Sequence, residues 1–335
     1  MLKDYSISVI RVLSMVFIVV YHCVCYFGIW DEYFPDAPQY QNIESMRFLC
    51  ILSLQMFTFI SGFLYARGKS RSVAETLCLK TMRLLVPYVF WAVVLAVFFP
   101  VICNWQVFFS GMLHLWFLLM LFGCFLVVSL TKYEEWKLPY MILAIFIVAF
   151  IEWVNLKSGL LKSNILAVSQ VVNYQPYFLS GIVVCKMELL ERLKENYFVL
   201  TIEILLLSSI VLLIYHVRGG YPLSPVYIWA FVAALFCSVY SIISKVMDNT
   251  NNAPPSLLST LLWLDKNSMS IYLLHHIFIW LFLFYVPGCQ SLMNNYPYIA
   301  PIVLFVVVFT LSSLFSWVMH KSKYSRILLG EKITI

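Results

Sequence analysis

What most constrains this chain is the length of its apolar runs. About 20 predominantly apolar residues cross the roughly 30 Å hydrocarbon core of a bilayer as a helix. The 335 residues hold about ten candidate stretches, at 7–28, 44–66, 82–102, 112–131, 138–154, 169–186, 197–216, 226–246, 268–286 and 297–319. With 62% of residues hydrophobic and 11% charged, composition excludes an ordinary soluble domain. Lipid offers backbone polar groups no partners, so runs of this kind must be helices packed on one another. The expectation is an all-α, polytopic transmembrane helical bundle of about ten spans. No polar stretch is long enough for a second domain, so residues 1–335 are read as one integral-membrane domain.

The loop charges give the bundle a direction. With the N-terminus in the cytoplasm, seventeen of the 22 Lys and Arg fall in cytoplasmic segments, and only Lys157, Lys162 and Arg218 fall opposite. Arg11 and Arg47 lie inside spans. This asymmetry predicts both termini cytoplasmic. The net charge of +6 does not suggest a nucleic-acid partner, and its distribution among the loops sets topology instead. No A-x-A-type site follows the first apolar run, which reads as an uncleaved span. The nine cysteines are scattered without metal-type spacing or a disulfide framework, so no metal site is expected.

Polar side chains inside such spans are costly and are functional candidates by default. Arg11 and His22 are eleven residues apart in the first span. At about 100° per residue they share one helix face, about 16 Å apart along the axis. Two readings are open. Arg11 can snorkel to the surface while His22 bonds within the bundle. Alternatively, Arg11 holds an anion and His22 does proton chemistry deeper in. Lys80 and Arg83, three apart at the start of the third span, are either topogenic charges or a phosphate site. Ser268, Tyr272 and His275 fall on one face of the ninth span, as interhelical bonding groups or as site residues. His276 points elsewhere on that helix. His114 and Trp116 open the fourth span, where an interfacial Trp is ordinary. Ser61-Gly62 in the second span suits close helix packing.

Taken in order, these residues resemble the acyltransferase 3 family of multi-pass acyl-CoA-dependent acyltransferases. The matching elements are Arg11-x10-His22, Phe59-Ile-Ser61-Gly62-Phe63-Leu64, Arg83-Leu-Leu-Val-Pro87, His114-Leu-Trp116-Phe-Leu and Ser268-x-x-Ile-Tyr272-x-x-His275. The resemblance covers essentially the whole chain. In size it is most similar to the single-domain O-acetyltransferases of bacterial surface glycans, of the enterobacterial common antigen type. Two positions differ from the family pattern. Ser8 stands where members carry Asp, three residues before Arg11. Lys80 stands where the basic pair begins with Arg, so one bidentate fork is replaced by a point charge.

The resemblance implies a multi-pass enzyme of the bacterial inner membrane. It would carry an acyl group, typically acetyl, from acyl-CoA as cosubstrate to a hydroxyl of a carbohydrate or lipid-linked glycan. No bound cofactor is implied. Lys80, Arg83 and Arg11 would hold the donor, and the catalytic pair would be His22 as general base with Arg11 at the mouth of the track that leads to it. His114, Trp116, Tyr272, His275 and Ser268 would contact substrate or the oxyanion. Two rival readings remain: a glycan or lipid transporter, for which ten spans and buried ionisable groups are also suitable, and an inactive acyl-CoA-binding relative.

Overall fold

The computed structural model describes residues 5–40, 43–69, 71–100, 103, 105–159, 161, 165–188, 225–249 and 255–331. The described residues form helices and connecting turns. In chain order these are α1 (Tyr5–Val24), α2 (Ile43–Arg67), α3 (Val73–Lys80), α4 (Val86–Phe98), α5 (Trp105–Ser110), α6 (Trp116–Thr131) and α7 (Leu138–Ser158). They continue with α8 (Val168–Lys186), α9 (Pro225–Asn249), α10 (Pro255–Tyr285), α11 (Cys289–Asn295), α12 (Ala300–Met319) and α13 (Lys323–Leu328). A π-helical turn, Thr81–Leu85, joins α3 to α4, and a 3₁₀ turn, Leu113–Leu115, leads into α6.

Among the described residues, seven helices are long and apolar enough to cross a membrane: Tyr5–Val24, Met46–Arg67, Val73–Phe98, Phe108–Thr131, Leu138–Ser158, Ser256–Tyr285 and Ala300–Met319. The expected span at 169–186 is the helix α8, whose Gln170, Asn173, Gln175 and Pro176 lower its apolarity. The span expected at 226–246 is α9, with a shorter apolar part at Phe231–Lys245. The span expected at 197–216 lies outside the described residues.

Two helix starts differ from the sequence expectation. The third span begins at Val73, not 82, because Ser72 and Glu75 form a capping box. The Ser72 side chain accepts from the Glu75 N–H, and the Glu75 carboxylate from the Ser72 N–H, so two otherwise unpaired donors are satisfied. Lys80 and Arg83 therefore sit well inside a helix. The ninth span begins at Pro255, not 268, because the leucines at 257, 258, 261, 262 and 264 continue the apolar pattern back past Asp265 and Lys266.

Helix α1 is the hub, packed by α2, α9, α10 and α12. The closest helix pair is α2 on α8, and two glycines make it possible. A Cβ on Gly62 would lie 1.9 Å from the Phe178 carbonyl oxygen, and one on Gly181 would lie 2.0 Å from the Phe59 carbonyl oxygen. Without a lipid-phase hydrophobic drive between helices, such small-residue contacts carry the packing. The Ser61-Gly62 motif is thus a helix–helix contact, with Ser61 Oγ bonded to the Phe57 carbonyl at 2.8 Å.

Candidate active site

The longer α10 brings a new partner to Arg11. Helices α1 and α10 lie side by side and run the same way. Asp265 and His276 are eleven residues apart on α10, as Arg11 and His22 are on α1. The two pairs meet in register. Arg11 Nη2 is 2.6 Å from Asp265 Oδ2, and the ring centroids of His22 and His276 are 4.6 Å apart. Ser8 Oγ donates to the same Asp265 Oδ2 at 2.8 Å. The carboxylate that Ser8 lacks is thus supplied from α10. Its signal in the sequence is the repeated spacing of eleven, which is hidden if the apolar run is begun at 268.

Arg11 of this ion pair lines a cavity of about 500 Å³. Arg11, Lys69, Arg71, Lys80, Arg83 and Lys186 line it, with Glu134 as the acidic residue among the lining side chains. Ser268, Tyr272, Ile18 and Phe117 form part of its wall. Lys80 Nζ sits 3.5 Å over the Phe125 ring, a cation–π contact. Lys186 Nζ bonds the Glu134 carbonyl. Arg83 Nε donates to the Gly330 carbonyl at 3.2 Å, so the chain's last described turn holds its guanidinium. Both Lys80 and Arg83 belong to the π turn or its edge, where the Val86 N–H reaches back five residues to the Thr81 carbonyl. Pro87 follows directly. A π turn is rare and often marks a functional position.

One helical turn beyond Ile18 and Tyr272 stand four histidines, His22, His114, His275 and His276. His114 stacks on His276 at 4.4 Å and 17°. His22 meets His276 edge-on at 77° and lies 5.0 Å from His275. The hydrogen bonds fix the tautomers, because a carbonyl only accepts and an indole only donates. His275 Nδ1 donates to the Tyr272 carbonyl at 2.6 Å. Its Nε2 is then the acceptor for His22 Nδ1–H at 2.9 Å. That leaves His22 Nε2 as a lone pair. His22 is partly open, whereas His114, His275 and His276 are buried.

The structure therefore joins His22, His114, Tyr272 and His275 at one end, and Arg11, Lys80, Arg83 and Ser268 around the cavity. Ser268 Oγ bonds the Asp265 carbonyl at 2.9 Å. The Tyr272 hydroxyl bonds the His114 carbonyl, and His114 Nε2–H bonds the Leu273 carbonyl at 3.2 Å. Trp116 is not brought in. Its ring packs on Tyr174 of α8 at 5.6 Å and on Phe117. His276, expected to point elsewhere, belongs to the cluster. Neighbouring positions about 100° apart on α10 flank one groove, which takes both side chains. Among the described residues no group of three or more His, Cys, Asp and Glu is arranged to hold a metal ion.

A family model described as an acyltransferase domain, acyltransferase 3, matches residues 4–321. No curated protein and no solved structure matches.

Proposed function

The chain belongs to this acyltransferase family, and from that premise we propose that it is an acyl-CoA-dependent O-acyltransferase of the single-domain type that acts on bacterial surface glycans. The donor is acetyl-CoA, and the acceptor is a hydroxyl of a surface polysaccharide or its lipid-linked precursor. The enzyme sits in the inner membrane, with both chain ends and the cationic cavity on the cytoplasmic side, in keeping with the loop charges. The observation that carries this reading is a cation-lined cavity whose wall includes Arg11 and also Ile18, one helical turn before His22.

Arg83, Lys80 and Arg11 hold the CoA phosphates, the guanidinium fork of Arg83 suiting planar anions. The pantetheine arm follows the face from Arg11 past Ile18, a run of about 16 Å. The thioester then lies beside His22. The acceptor oxygen attacks the thioester carbon, and its proton passes to the His22 Nε2 lone pair. The carbonyl π pair moves to oxygen. When the tetrahedral intermediate collapses, the C–S bond breaks and the proton on His22 goes to the departing sulfur. The products are the O-acyl glycan and CoA, with no net proton change. His275 is a positioning residue: it keeps the His22 proton on Nδ1, so that Nε2 is the base. Ser268, Tyr272 and His114 shape the site through their bonds to the Asp265, His114 and Leu273 carbonyls, and Trp116 supports the His114 turn from the α8 side.

The test compares surface glycans by mass in cells carrying the parent and His22→Ala chains. Loss of an acetyl increment, with normal membrane insertion, is the expected result. An unchanged glycan mass would remove His22 as the base.

A further inference from the structure

If the site transfers an acyl group, as proposed from the family and the cavity, it must also stabilise an oxyanion. A tetrahedral intermediate places negative charge on the former thioester oxygen. A preorganised donor for that oxygen contributes about 10²–10³ in rate. The donors nearest His22 are nearly all engaged. The Tyr272 hydroxyl bonds the His114 carbonyl. His275 Nδ1–H bonds the Tyr272 carbonyl, and His275 Nε2 accepts from His22. His114 Nε2–H bonds the Leu273 carbonyl.

His276 differs. Trp280 Nε1–H donates to His276 Nδ1 at 2.7 Å. An indole only donates, so Nδ1 carries the lone pair and the proton sits on Nε2. Among the described residues Nε2 has no hydrogen-bond partner. It is also not one of the sealed, unpartnered atoms, whereas His114 Nδ1 is. The ring cannot turn freely. It is stacked on His114, set edge-on to His22 at 4.6 Å and to Trp30 at 5.4 Å. Trp280 is fully buried, stacked between Trp30 at 4.6 Å and Phe284 at 5.2 Å, which aims its N–H.

We propose that His276 Nε2–H is the oxyanion donor of this site, and that Trp280 is the positioning residue that fixes the proton there. The base and the donor are then adjacent imidazoles held in opposite tautomers. His275 leaves Nε2 of His22 bare, and Trp280 leaves Nε2 of His276 protonated. As the acceptor oxygen bonds to carbon and its proton goes to His22, the oxygen gaining the carbonyl electron pair accepts the His276 N–H. No proton is transferred from His276, and the hydrogen bond relaxes when the C–S bond breaks.

Three variants test this in the full-length protein in detergent, with acetyl-CoA turnover and binding of CoA measured by calorimetry. His276→Phe keeps a planar ring and removes the donor. It is expected to lower kcat by about 10²–10³ while CoA binding holds. His276→Gln returns an N–H near the position of Nε2 and is expected to recover most of that loss. Trp280→Phe keeps the aromatic stack and frees the tautomer. It is expected to lower kcat by about tenfold in the parent, yet to add nothing in the His276→Phe background. Additive losses would mean that Trp280 acts on packing alone and would overturn its assigned role. A His276→Phe enzyme within about threefold of parent kcat, beside an inactive His22→Ala enzyme, sinks the donor and spares the base. Retained activity in both variants would instead defeat the acyl-transfer reading of the cluster. Should His276→Phe not fold, Trp280→Phe decides: unchanged kcat there overturns the proposal.

Discussion

Arg11 meets Asp265 as an opposite charge, in a cavity lined by five further cations. Eleven residues further along the same two helices, His22 meets other imidazoles, held by carbonyls and an indole N–H. One seam thus carries two kinds of polar site. At the lower end the excess charge is positive, and the side chains face a cavity of about 500 Å³. At the upper end each ring nitrogen that is bonded has a neutral partner, which fixes direction and leaves little charge to stabilise. Under the proposed function the pair Arg11–His22 divides the labour, with long-range attraction at one rung and oriented proton chemistry at the other.

The largest effect should separate the two ends. His22→Ala is expected to lower kcat by about 10²–10⁴ without weakening CoA binding. Arg83→Gln should do the reverse, raising the KM for acetyl-CoA by about tenfold or more with kcat nearly intact, since charge-assisted bonds are worth about 1.5–3 kcal/mol. Steady-state kinetics with calorimetric CoA titration reads both. Equal effects of both variants on kcat would dissolve the division.

Next in size is the ion pair itself. Asp265→Asn leaves Arg11 without its carboxylate. The Arg11 side chain is 30% exposed and that of Asp265 11%, so the penalty is below that of a fully buried pair, about 1–3 kcal/mol. Adding Ser8→Asp should recover part of it, because Ser8 Oγ already reaches the same carboxylate oxygen. Thermal unfolding in detergent checks both. A double variant as unstable as Asp265→Asn alone would show that position 8 cannot serve as the partner.

Much of this architecture is legible in the sequence, for physical reasons particular to each element. The apolar runs of α1, α2, α6 and α12 announce themselves because lipid leaves a helix no other option. Arg11 and His22 stand out because charge and imidazole are rare in such runs. The start of α10 is hidden, since Asp265-Lys266-Asn267 looks like a loop between apolar stretches. In the structure these residues are one turn of a continuous helix, and Asp265 is neutralised from α1. His276 is hidden by a one-face argument. A single helix presents one face to one neighbour, but α10 faces both α1 and the Leu113–Leu115 turn that carries His114. Lys80 and Arg83 look like the mouth of a span unless the Ser72–Glu75 capping box, eight residues before Lys80, is given its weight as a helix start.

A smaller effect is expected where the chain's end touches the cationic site. Gly330 has φ +75°, and a Cβ there would lie 2.6 Å from the Arg83 carbonyl oxygen. Its own carbonyl accepts from Arg83 Nε. The turn is anchored on either side, by Trp91 Nε1–H on the Leu328 carbonyl at 2.8 Å and by Glu331 against His320 at 2.8 Å and Lys266 at 3.8 Å. Gly330→Ala should shift the turn and loosen Arg83, raising the KM for acetyl-CoA by about three- to tenfold with kcat unchanged. In an Arg83→Gln background the same change should have little effect, which distinguishes a loosened guanidinium from a general loss of stability.

The smallest expected effect concerns Lys80. Its ammonium sits over Phe125 and bears a point charge without the planar fork of an arginine. Lys80→Arg keeps the charge, stacks on the same ring and adds donors matched to phosphate oxygens. If the lower rung works by holding a polyanion, the substitution should tighten CoA binding by about two- to fivefold and leave kcat alone. Weaker binding would mean that the Phe125 contact, set by the length of a lysine, matters more than the fork. A change in kcat with no change in binding would carry Lys80 across the seam, from the holding end to the reacting one.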